Sequence, residues 1–147
     1  MNTTTFNQGL VENRMTAVGH ISKGKLWTGR IVTGLVGAFM LVDGVMKLFK
    51  PAVVVEGTVK LGYSEAVIVP LGIILTLATL LYLLPRTAVL GAILLTGYLG
   101  GAVNTHVRAS GSAFEILFPV MFGILAWGGL WLRDERLQKL VPFDSRS

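Results

Sequence analysis

Residues 66–85, AVIVPLGIILTLATLLYLLP, decide how the rest of the chain is read. They form an interval of 20 uncharged residues between Glu65 and Arg86, and a helix needs about 20 residues to cross an apolar core of about 30 Å. A second interval of 21 residues runs from Arg86 to Arg108, interrupted only by His106, and a third of 17 lies between Glu115 and Arg133. A fourth span is read at 26–49. Arg30, Asp43 and Lys47 fall inside it, but Ile31 to Val42 is uninterrupted and Pro51 supplies a stop. The expected spans are therefore about 26–49, 66–85, 87–107 and 114–132. The composition agrees: the 147 residues are 52% hydrophobic and 14% charged, against roughly 25% charged in soluble domains. With no cysteine, disulfide scaffolds, thiolate metal sites and dithiol chemistry are excluded.

The remaining segments fit around these spans. Residues 1–24 read as a polar, disordered tail, and 143–147 as a short C-terminal one. The run PAVVVEGTVKLGY from Pro51 to Tyr63 is too short to span. Glu56 and Lys60 at i, i+4 suit an interfacial helix, while Val53, Val54 and Val55 leave a short strand open. After Arg133 the amphipathic run continues as a helix toward Pro142. The fold class is thus all-α, an integral membrane four-helix bundle with a short interfacial segment between spans one and two. An even number of spans puts both termini on one side. That side carries nine Lys and Arg (Arg14, Lys23, Lys25, Arg30, Arg86, Arg133, Arg136, Lys139, Arg146) against four (Lys47, Lys50, Lys60, Arg108) on the other. Positive charge stays inside, so both termini are expected in the cytoplasm. The net charge of +5 then reflects topology and anionic-lipid attraction, not nucleic-acid binding.

Nearly all the polar groups within the spans collect at the other end: Asp43, Lys47, Glu65, Asn104, His106, Arg108 and Glu115 form a candidate polar crevice. Ionisable groups at membrane depth are expensive and mark function by default. Several also have local explanations. Asp43 and Lys47 have the spacing of an i, i+4 ion pair, Ser112-x-x-Glu115 matches a capping box, and Ser64 before Glu65 is an ordinary helix start. Pro70 and Pro119, about one turn into their spans, fix helix starts. Gly97, Gly101, Asn104 and Arg108 recur at intervals of 4, 3 and 4. That stripe lets a neighbouring helix approach and turns Asn104 and Arg108 toward an anion or carbonyl oxygen. His106 points about 200° from Asn104. Gly34, Gly37 and Gly44 form a second packing stripe. With His106 the one histidine in the spans, His20 lying in the tail, and no cysteine, a transition-metal site is an unfavoured reading.

The strings GYLGGAVNTHVR from Gly97, FEILFP and WGGLWLRDERLQKLVP, together with GVMKLFKP from Gly44, KLGYSEA from Lys60 and LLPRTAVLGAILL from Leu83, resemble the DoxX-like family of small bacterial membrane proteins over 25–142. The resemblance implies a four-helix membrane bundle in the bacterial inner membrane. Some relatives are associated with quinone-linked oxidoreductases or oxidative-stress complexes, and no catalytic set is carried over. The leading expectation is a crevice on the extracytoplasmic side that binds a quinone or other lipophilic molecule, as a subunit of a redox complex. The alternatives are a non-catalytic accessory protein that associates with a membrane partner or with itself, and a proton-coupled transporter acting as an oligomer.

Overall fold

The computed structural model describes residues 22–140. Among them are six α-helices and no strand: α1 Lys23–Phe49, α2 Ala52–Lys60, α3 Ile68–Leu83, α4 Ala88–Arg108, α5 Ala113–Arg133 and α6 Glu135–Leu140. A single 3-10 turn, Glu65–Val67, leads into α3. Four helical segments, Lys23–Phe49, Glu65–Leu83, Ala88–Arg108 and Ala113–Arg133, are long and apolar enough to cross a membrane. The protein is an all-α bundle. α1 begins at Lys23, inside the expected 1–24 tail; residues 1–21 and the 143–147 tail lie outside the described residues.

Local chemistry explains the boundaries. Lys50 takes a left-handed φ of 48° directly before Pro51, which ends α1. α2 resolves the helix-or-strand alternative in favour of a helix, and it buries none of its residues. α3 stops at Leu83, two residues short of the expected 85, because Leu84 is extended before Pro85. Ser112 and Glu115 make the full capping box at the start of α5. Pro119 is the seventh residue of α5, deeper than the one turn expected. Its missing N–H is the one the Glu115 carbonyl would use, so it removes a helical bond. The helix expected to continue past Arg133 breaks at Asp134, whose backbone is extended and whose carboxylate accepts from the Arg136 amide at 2.9 Å.

α1 packs against α3 and α5, and α4 packs against the same two, so α1 and α4 stand at diagonal corners. The tightest packing is near the Arg86 turn. There Tyr82, fully buried, donates from its hydroxyl to the Ala126 carbonyl at 2.9 Å. Arg133 donates to the Tyr82 carbonyl at 3.1 Å, with its guanidinium 5.9 Å from the ring centre. The core continues through Leu75, Ala78, Ala92, Leu95, Ala126 and Leu130. Outside it, Ile31, Leu35, Ile73, Leu77, Leu90, Ile93, Leu117 and Ile124 are exposed, the apolar outer surface that a lipid environment requires.

Candidate functional site

At the end where α1 and α4 finish and α5 begins, the diagonal helices leave a cavity of about 680 Å³, within the roughly 300–1,000 Å³ typical of small-molecule sites. One wall is aromatic. Phe118 and Phe122, four residues apart on α5, lie on one helix face with Phe114. Phe39 of α1 stacks on Phe122 at 4.6 Å between ring centres and meets Phe118 edge-on at 5.8 Å. Tyr98 and Met40 extend this surface.

The polar groups sit toward the helix ends. Lys47 donates to the Asp43 carboxylate at 2.6 Å, the local pair their spacing allows. The Thr105 hydroxyl donates to the Gly101 carbonyl at 2.9 Å, as threonines in helices do. Its single proton is then used, so the Tyr63 hydroxyl, 2.8 Å away, is the donor to Thr105. That bond ties the chain after α2 across the end of the cavity, where Thr58 and Leu61 also line it. Glu115 is held by its own helix start: the Ser112 amide and hydroxyl donate to one carboxylate oxygen at 2.7 and 2.9 Å. His106 lines the cavity, and its Nδ1 is buried without a hydrogen-bond partner, a condition that costs about 1–3 kcal/mol if nothing relieves it.

Of the residues singled out in the sequence, Asp43, Lys47, His106 and Glu115 line this cavity, and Glu65, Asn104 and Arg108 do not. Glu65 is exposed in the 3-10 turn, where Ser64 accepts from the Ala66 amide. Asn104 and Arg108 are exposed on the outer face of α4, Arg108 reaching over the Gly62 turn, 3.5 Å from where a Cβ there would stand. The reason is the rotation of α4. Its buried stripe is Ala88, Ala92, Leu95 and Leu99; continued at helical spacing it reaches Ala102 and His106, and Thr105 beside them, while Asn104 and Arg108 fall on the far side and the exposed Gly97 and Gly101 edge the cavity. Gly37 and Gly44 do receive neighbours, the Leu83 side chain and Thr76 respectively, whereas Cβ atoms at Gly34, Gly97 and Gly101 would meet nothing within 4 Å. Thr58, Tyr63, Tyr98 and Thr105 escaped the sequence reading. The Phe114, Phe118, Phe122 spacing was a readable sign of the aromatic wall.

A second hollow of about 620 Å³ lies between α4 and α5 and is almost wholly apolar, with Thr96 accepting from the Trp127 indole at 2.8 Å.

Fold and cavity together define a multi-pass membrane protein built around a pocket that is aromatic on its wall and polar at its end. The chain matches the model of the DoxX-like family over residues 31–129, and it belongs to that family. No curated protein and no solved structure matches it.

Proposed function

We propose that the protein binds a membrane-dissolved lipophile carrying a polar ring, a quinone or a similar carbonyl compound, in the cavity bounded by α1, α3, α4 and α5. The observation that carries this reading is the placement of Lys47, Thr105 and His106, with Asp43 and Glu115, at one end of a pocket walled by Phe39, Phe118 and Phe122. Aromatic walls stack on flat rings, and a ligand oxygen at the polar end meets the Lys47 ammonium, a charged donor, beside the His106 ring. As a subunit of a redox complex, the protein would hold such a molecule for a partner enzyme. The charge count, nine against four, supports insertion in a bacterial inner membrane with both termini cytoplasmic and the cavity end facing outward. Reporter fusions at the C-terminus test that orientation: activity of a periplasm-dependent reporter there overturns it.

The binding test is extraction of bound small molecules from detergent-purified protein, comparing wild type with His106→Leu and Ala102→Phe, which fills the cavity. A defined lipophile present in wild type and depleted in both variants supports the reading. Bulk lipid alone, identical in all three, overturns it.

One observation favours a second reading, an accessory protein that assembles through α4. Asn104 is exposed on the outer face of a spanning helix and its side-chain amide makes no hydrogen bond among the described residues, and an amide in that setting drives helix association. In that case Asn104→Leu disperses an oligomer or partner complex and leaves the lipophile content unchanged.

A further inference from the structure

α3 and α4 meet closely at one end, and toward the other both line the cavity. Near the Arg86 turn, a Cβ on Gly91 would collide with the Tyr82 backbone and stand 2.6 Å from the Leu81 carbonyl carbon, while the Thr87 hydroxyl donates to the Leu81 carbonyl at 2.8 Å. Farther along α4, Cβ atoms on Gly97 and Gly101 would meet nothing within 4 Å. Both glycines are exposed, and both line the cavity. Across from them on α3, Leu71 and Ile74 line it too, with Ile74 53% exposed to the outer surface.

Contacts cross the cavity's boundary elsewhere. α1 closes on α3 at Gly44 and Gly72, where a Cβ on Gly72 would stand 2.9 Å from the Gly44 carbonyl oxygen. α1 closes on α5 through the Phe39–Phe122 stack. The end is crossed by Leu61 and by Tyr63 in its bond to Thr105. Through the exposed Gly97, Gly101 and Ile74 the cavity reaches the apolar surface of the bundle, at a level deeper in the span than Lys47 and His106.

We propose that the ligand is a tailed amphiphile: its ring and oxygens lie inside, toward Lys47 and His106, and its hydrocarbon chain leaves through the α3–α4 opening into the bilayer. This rests on the lipophile-binding reading above and adds to it the class of ligand and its direction. A chain in that opening needs the volume that the absent side chains of Gly97 and Gly101 leave free.

The test uses full-length protein in lipid nanodiscs and two probes, menadione, a naphthoquinone without a tail, and a menaquinone bearing two isoprene units, with binding followed by quenching of protein fluorescence. Gly101→Leu and, from the α3 side, Ile74→Trp narrow the opening. Gly100→Leu, one residue away in open space on the side of the second hollow, is the matched control. The expected result is that both narrowing variants weaken the tailed quinone about tenfold, equivalent to about 1.4 kcal/mol, with menadione held within about threefold and the control unchanged for both. Equal losses for both probes, or no loss for the tailed one, overturn the tail path while leaving ring binding in place. A wild-type protein that binds neither probe overturns the binding reading itself.

Discussion

Replacing Gly91 and Gly97 by alanine, one at a time, compares a packed with an open position on α4 with the same added methyl group. At Gly91 the new Cβ meets the backbone of Leu81 and Tyr82, not the end of a flexible side chain, so no rotamer change relieves it and the helices must part. Overpacking of a close contact costs about 1–3 kcal/mol, and a backbone-on-backbone clash belongs at the upper end, on the order of 3 kcal/mol. It also displaces Tyr82, whose hydroxyl and carbonyl tie α3 to α5. At Gly97 the methyl enters open space, and alanine instead gains the roughly 0.5–1 kcal/mol by which it exceeds glycine in a helix. The two variants should therefore differ by about 3–4 kcal/mol with opposite signs. The assay is equilibrium unfolding of each purified variant in mixed micelles titrated with a denaturing detergent, read by circular dichroism. Equal stability of the two variants, or destabilisation by Gly97→Ala as large as by Gly91→Ala, would refute the close approach of α3 and α4 at Gly91 and the open space at Gly97.

Three further outcomes follow from single contacts. Tyr82→Phe should lose about 1 kcal/mol in the same unfolding assay, since it removes the buried hydroxyl bond to the Ala126 carbonyl, which keeps only its helical partner; an unchanged midpoint contradicts that bond. Ser112→Ala removes the capping box of α5 and should cost about 1 kcal/mol, with Ser112→Asp restoring most of it because aspartate also caps. Lys47→Met leaves Asp43 without its ion-pair partner at membrane depth and should destabilise more than the double change Asp43→Leu with Lys47→Met; a double variant worse than the single one speaks against the pair.

The spans were legible because charge spacing registers directly against bilayer thickness: Glu65, Arg86, Arg108, Glu115 and Arg133 each stand within a few residues of a helix end. Contacts set by local spacing were legible for the same kind of reason, as with Asp43 and Lys47 at i, i+4 and Ser112 with Glu115. The rotation of α4 was not. A soluble helix shows its buried face by contrast with a polar one, but a spanning helix is apolar all round, so Asn104 and Arg108 read as facing the crevice when the buried stripe is Ala88, Ala92, Leu95 and Leu99 and only Gly97 and Gly101 of their row edge the cavity. Tyr63 with Thr105 lay beyond reach because 42 residues separate the partners, and neither side chain carries a charge to draw notice at membrane depth. The break at Asp134 turns on one extended residue inside an amphipathic run that otherwise favours helix.

The claim that a ring-bearing lipophile occupies the cavity is tested most directly by photolabelling the protein in liposomes with an azido-naphthoquinone and mapping the modified peptides. The account predicts label on α5 around Phe118 and Phe122 and on α4 around Tyr98, competed away by excess unlabelled quinone and lost in Ala102→Phe. Label confined to the outer surface, on residues such as Leu35 or Ile124, and insensitive to competitor would contradict it.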